Sequence, residues 1–202
     1  MRLILLTRPT FFVEEDKILS ALFERGLDSL HLYKPDTEPI YSERLLSLLP
    51  EQILKKTIVH NHYYLKDEFN LAGIHIDKPE TGTPQHYKGK VGMTCRSISD
   101  IKAIRKKSDY IFLRNIFDSV SNPTEKITFS YNQLHDAAKQ GLIDRKVYAQ
   151  GGLSLENVKI ARELGFGGVV ICGDIWNRFD IHHEQDFKAL LSHFEKLKKA
   201  VE

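Results

Sequence analysis

KVYAQGGLSLENVKIARELGFGGVVICGDIW, Lys146 to Trp176, reads as strand, glycine turn, helix, strand and second glycine turn. Lys146 to Ala149 is a short apolar strand, and Gly151-Gly152 permits a tight turn where a side chain would block an approaching anion. Ser154 stands at a helix N-cap position and Glu156 suits the positive end of that helix. Leu155, Val158, Ala161 and Leu164 fall on one helical face, and Gly165 stops the helix. Gly168 to Cys172 is apolar throughout, as a parallel strand covered on both sides must be, and Gly173 ends it. Two such strand ends side by side aim free amide N–H groups at one point, which suits a phosphate monoester. Paired glycines follow strands in many α/β proteins, so position in the chain has to decide; in (β/α)8 barrels the phosphate site lies after strands seven and eight.

The rest of the chain supplies the other six strands. Apolar runs at Leu3–Thr7, Ser29–Tyr33, Ile58–His60, Gly73–Ile76, Val91–Thr94 and Tyr110–Leu113 alternate with helical patterns. These helices are expected at Val13–Arg25, closed by Gly26, then near Tyr41–Leu49 and Leu65–Phe69, then at Ser99–Lys107 with Ser99 as cap and at Tyr131–Gln140. KPETGTPQHYKG, after the fourth strand, is too rich in Pro and Gly for a full helix. Asp118–Thr128 is a long polar segment of the kind that is usually functional or mobile. Glu184–Ala200 closes the chain as an amphipathic helix. Eight strands alternating with helices in 202 residues predict one α/β domain, a (β/α)8 TIM barrel over 1–202, rather than a doubly wound open sheet.

Composition narrows the function. With 29 basic against 27 acidic residues, nothing points to nucleic acid or a membrane surface. Arg105-Lys106-Lys107 reads as the solvated end of a helix. Leu3 to Leu6 is too short for a signal-peptide core or a span, and Cys95 and Cys172 fit reduced thiols, so a cytoplasmic protein is expected. The final helix fits a monomer or a homodimer equally well.

In a barrel, chemistry is built from the loops after the strands. Those positions hold Tyr33 and Lys34; His60, Asn61 and His62; His75, Asp77 and Glu80; Thr94, Cys95 and Arg96; Asn115, Ser119, Ser121 and Asn122; and Gln150. His60, His62 and His75 would make a zinc ligand set. The loose His-x-His spacing, with no acidic or cysteine ligand fixed beside it, favours reading His75 as a hydrogen-bonded core residue instead.

Taken in order, LILLT, SLHLYK, IVHN, GIHID, GMTCRS, SDYIFLRNIFDSVS, AQGGLSLENV and GVVICGDI resemble the successive strand ends of the thiamine phosphate synthase and thiazole tautomerase superfamily. The resemblance covers almost the whole chain. It implies a barrel that joins hydroxymethylpyrimidine diphosphate to thiazole phosphate, releases pyrophosphate, and uses magnesium. It further implies that Gly151, Gly152 and the Cys172-Gly173 backbone hold the thiazole phosphate, with Ser119 and Ser121 in place of paired threonines. Asn61 matches an asparagine that contacts substrate, and Thr94 a serine beside the pyrophosphate.

The departures lie at the pyrophosphate end. Tyr33 replaces an arginine, and Pro35 a second basic residue beside which Lys34 is displaced. His62 replaces an aspartate, leaving Asp77 or Glu80 to bind magnesium. Asn122 replaces a lysine for which Lys126 could substitute. Arg96 stands where the tautomerase branch has its acid-base histidine, and reads as an anion ligand. Three functions follow: a synthase with catalytic residues drawn from Lys34, Asn61, Thr94 and Arg96; a tautomerase-like isomerase; or a binder of a phosphorylated thiazole or thiamine precursor without turnover. An unrelated phosphate-binding barrel is the alternative outside the superfamily.

Overall fold

The computed structural model describes residues 1–118, 126–178 and 184–202. Eight parallel strands close in sequence order: β1 (Arg2–Leu6), β2 (Ser29–Leu32), β3 (Thr57–Val59), β4 (Gly73–Ile76), β5 (Lys90–Cys95), β6 (Tyr110–Arg114), β7 (Val147–Gln150) and β8 (Gly168–Ile171), with β8 returning to β1. The helices outside are α1 (Glu15–Glu24), α2 (Pro39–Leu48), α3 (Glu51–Leu54), α4 (Leu65–Glu68), α5 (Ile101–Arg105), α6 (Tyr131–Lys139), α7 (Val158–Glu163), α8 (Gly173–Trp176) and α9 (Glu184–Val201). This is the expected single-domain (β/α)8 barrel. Among the described residues no helix is long and apolar enough to cross a membrane.

Local chemistry moved several helix ends. Pro39 occupies the first turn of α2, where its missing N–H costs nothing, so that helix starts before Tyr41. α5 begins at Ile101, because Ser99 spends its hydroxyl on Ser97 and Asp100. α7 begins at Val158 rather than beside Ser154. The Ser154 hydroxyl still accepts from the Glu156 amide, but Asn157 ties the turn together, accepting from the Ser154 amide and donating to the Gly152 carbonyl. After β4 the chain makes only a 3-10 turn at Pro79–Thr81, as its Pro and Gly content required.

Between barrel and helices lies an aliphatic core, sealed at the end of the chain by the Leu190, Phe194, Leu197 and Val201 stripe of α9, which packs against α1 and α7. The barrel interior is different. Where branched aliphatic residues are usual, it holds His31, His60, His75, Tyr110, Phe112 and Tyr148, with ring centroids 4.3 Å apart for His75 and Phe112 and 5.4 Å for the two tyrosines. Gly92 makes room for them, since a Cβ there would lie 2.0 Å from the Tyr110 ring.

Candidate active site at the carboxyl ends of the strands

The site is built first by β7 and β8. They pair with Gln150 opposite Val170, so Gly151-Gly152 and Cys172-Gly173 leave the barrel side by side. Both turns line one cavity of about 440 Å³, together with Arg8, Tyr33, Arg114 and Gln150. Among the described residues, no protein carbonyl accepts from the Gly151, Gly152 or Gly173 amides. Gly151 and Gly152 have φ of 95° and 64°, in the left-handed region that glycine tolerates. The reason only glycine fits is not an approaching anion, however: a Cβ on Gly152 would lie 2.2 Å from the Asp118 carbonyl, and one on Gly151 2.8 Å from Asn115 Cα. The loop after β6 lies against the turn and the turn yields to it.

Asp174 holds this arrangement from behind. Only 2 % exposed, it accepts from the Leu155 amide at 3.1 Å, from His193 Nε2 at 2.7 Å and from Arg178 at 3.1 Å. One carboxylate thus joins the β7 loop, α8 and α9. Cys172 is not a nucleophile here, because burial pushes its thiol up to about 11 against the pull of Arg8 and Lys34.

The opposite side of the mouth, after β2 to β5, is filled. His31 and His75 are completely enclosed, and burial holds both imidazoles well below the usual histidine range, hence neutral. Burial also raises the Tyr110 hydroxyl, which stays protonated. From these states a donor order follows. Tyr110 donates to His75 Nδ1 (3.3 Å), His75 Nε2 donates to Thr94 Oγ1 (3.0 Å), and Thr94 donates to Asp77 Oδ1 (3.3 Å). In a second arm His31 Nδ1 and His60 Nε2 share a hydrogen bond of 2.9 Å, and His60 Nδ1 donates to Asp77 Oδ2 (2.8 Å). Burial opposes the Asp77 charge, but the charge and hydrogen bond of His60 outweigh it, with help from His75 and Thr94, and its carboxyl sits at about 2.

His31, His60 and His75 bring ligand atoms within 4.8 Å of one another, yet they do not form a ready metal centre. The His60 and His75 rings are stacked, 24° from parallel, so their in-plane lone pairs do not meet at one ion. Their nitrogens already serve the hydrogen-bonded arms. His62, the other histidine of the expected zinc set, turns away at φ 52° and bonds the Thr37 carbonyl.

The sequence-derived residues therefore separate into two groups. Tyr33, Gln150, Gly151, Gly152, Cys172 and Gly173 face the cavity; Lys34, Asn61, His62, Thr94, Arg96, Asp77 and Glu80 do not line it. Lys34 was expected as a catalytic cation, but it is 1 % exposed, and its ammonium is bonded to both Glu15 oxygens (2.7 and 2.9 Å) and to the Thr10 carbonyl (2.9 Å). Those three bonds exhaust its donors. Asn61 accepts from the Lys34 amide at 3.2 Å. Arg96 is exposed after β5, and Glu80 is exposed on the 3-10 turn. Ser119, Ser121 and Asn122 lie outside the described residues.

Magnesium fits poorly. Asp77 is committed to His60 and Thr94, Glu80 points from an exposed turn, and neither borders the cavity. A divalent ion held by one or two carboxylates and substrate phosphates needs those groups together.

The cavity has two arginines that strand-end reading passed over, Arg8 after β1 and Arg114 at the end of β6. The rule that exposed Tyr33 and Lys34, strand end equals pocket, would have found both. Gln150 sits in register beside Arg114 and is 7 % exposed, and among the described residues its amide oxygen has no partner.

Comparison with solved structures decides the family. The crystal structure of thiamine phosphate pyrophosphorylase from Bacteroides thetaiotaomicron is 45 % identical, superposes with a TM-score of 0.88, and is matched over 99 % of this chain and 97 % of that one. The chain belongs to the thiamine phosphate pyrophosphorylase family. A curated thiamine-phosphate synthase from Flavobacterium johnsoniae is 25 % identical over 178 residues, which is 80 % of this chain and 82 % of that protein. The thiamine phosphate pyrophosphorylase from Pyrococcus furiosus is 15 % identical with a TM-score of 0.73 over 99 % of this chain, a likeness of fold. No family model matches the chain. Within the pyrophosphorylase family, then, this member has an open cavity after β7 and β8 and a filled mouth after β2 to β5.

Proposed function

We propose that the chain is a thiamine-phosphate synthase-like transferase, anchored on a phosphate monoester at the Gly151-Gly152 and Gly173 turns. The observation that carries this reading is the pair of turns sharing one cavity, with amides that no carbonyl among the described residues accepts. Oriented amides of this kind stabilise an anion without reorganising. At about 440 Å³ the cavity lies in the size range of small-molecule sites. In the reaction the family name implies, the C–O bond between the pyrimidine methylene and its diphosphate breaks, and the electron pair leaves on pyrophosphate. The thiazole nitrogen lone pair then forms the C–N bond, and no proton moves at the reacting atoms. General bases are therefore dispensable, and what counts is position and charge on the leaving group.

A second reading has its own support. Lys34 is consumed by Glu15, and among the described residues no carboxylate pair lines the cavity, which favours a binder of thiazole phosphate that does not turn over. Incubating the purified protein with both substrates and assaying thiamine phosphate by chromatography, beside calorimetric titration with thiazole phosphate alone, separates the two. Product above the no-enzyme control supports the transferase. Binding without product supports the binder, and no binding of thiazole phosphate defeats both. The tautomerase reading has less behind it, because Arg96, at the position of that branch's histidine, is exposed and off the cavity.

A further inference from the structure

Arg8 follows β1 and borders the cavity beside Tyr33, Cys172 and Gly173. Its guanidinium lies 5.8 Å from the centre of the Phe12 ring, and its charge is felt by Cys172, Lys34 and Glu15. Among the described residues it has no carboxylate partner. The segment that carries it is pinned at three points. Thr7, just before it, exchanges hydrogen bonds of 3.0 Å with the Tyr33 amide and carbonyl. Thr10, two residues on, gives its carbonyl to Lys34, and Glu15, where α1 starts, gives its carboxylate to the same ammonium. The Phe11 ring covers that ammonium at 4.3 Å.

A buried ion pair is a poor way to gain stability, because desolvating two charges offsets most of their attraction. What it supplies is direction: one ammonium with three acceptors fixes the loop relative to β2. We propose that Arg8 is the cation that binds the second anionic group of the ligand, the leaving diphosphate, and that Lys34 is the positioning residue that holds Arg8 over the cavity. This rests on the transferase reading. The C–O bond that breaks sends its electron pair to the diphosphate oxygen, and Arg8, always charged and able to donate two parallel bonds, meets the charge where it develops. Tyr33, one strand away, has no charge to offer, so the cation comes from β1 instead of β2.

The test is calorimetric titration with inorganic pyrophosphate and with orthophosphate, in EDTA. Arg8→Gln is expected to weaken pyrophosphate by about tenfold or more, the range of a lost charge-assisted contact, and orthophosphate by less. Arg8→Lys should recover part of the loss. Glu15→Gln combined with Lys34→Met keeps the buried volume without the charges. It should fold, by circular dichroism and thermal midpoint, yet weaken pyrophosphate comparably, and adding Arg8→Gln to it should change little further. Arg8→Gln binding pyrophosphate as the wild type does would overturn the Arg8 assignment. Full additivity of the three substitutions would overturn the role of Lys34. If the wild-type protein binds orthophosphate but makes no thiamine phosphate, the transferase reading fails on its own, and the Arg8 titration still reports whether the cation is there.

Discussion

The two sides of the barrel mouth are made by the same alternation of strand and helix, and they end in opposite states. After β2 to β5 the polar side chains answer one another: two hydrogen-bonded arms run through His31, His60, His75 and Thr94 into both oxygens of Asp77. After β6 to β8 and β1 several polar groups border the cavity with no partner among the described residues: the turn amides, which no carbonyl accepts, and the Gln150 oxygen, with Arg8 beside them. The difference teaches where a ligand belongs. A satisfied network gains nothing from a guest, whereas an unsatisfied one is completed by it.

The largest effect tests whether the filled side is a structural unit. Glu15→Ala leaves the Lys34 ammonium buried without a carboxylate, bonded only to the Thr10 carbonyl, and is expected to cost about 3–5 kcal/mol by urea denaturation; a loss under about 1 kcal/mol would mean that the pair is not sealed as described. Next comes the open side. Gly152→Ala forces a left-handed residue against the Asp118 carbonyl, costing about 3 kcal/mol in strain and repacking, and thiazole phosphate binding should disappear in titrations even where the variant remains folded.

Acid should separate the two sides more gently. The folded-state values of His31 and His75 lie below that of an unfolded histidine, so below pH 6.5 the unfolded chain takes up protons that the folded chain refuses. Stability therefore falls with pH from there, by up to about 1.4 kcal/mol per unit for each histidine. Asp77, at about 2 against 3.8, adds a second loss between those values. Denaturant midpoints measured from pH 7 to pH 4 should drop, and less so in His75→Gln; a flat profile would show that these imidazoles are not the closed network described.

Gln150→Met removes a buried acceptor that no described residue satisfies and should stabilise the free protein by about 1 kcal/mol while weakening thiazole phosphate, as function-bearing orphans do. A thermal midpoint that falls would place an unseen partner on that oxygen. Smallest of all, Arg96→Gln, on an exposed side chain off the cavity, should change ligand affinity by less than about twofold.

Much of this was legible beforehand. The barrel followed from alternating apolar runs and periodic helices, and the paired turns from Gly151-Gly152 and Gly173, because strand ends and glycines are local signals. The error at Lys34 was of another kind. A lysine after a strand reads as a hand held out to substrate, and nothing near it in the chain announces that Glu15, nineteen residues earlier, will bury it. His62 misled for a related reason: alternation predicts facing only while the strand lasts, and β3 stops at Val59. Arg8 follows an apolar strand with no motif around it, and it is the closure of β8 onto β1 that brings it beside Cys172 and Gly173 at the cavity.

By itself, then, the sequence determined the closed barrel and the pair of turns at its seventh and eighth strand ends, since periodicity and glycine act on the nearest few residues. Which charged groups face the cavity, and which neutralise one another inside the wall, only the tertiary structure decided. Burial is set by contacts between distant segments, and it is burial that makes a charge either a tool or a strut.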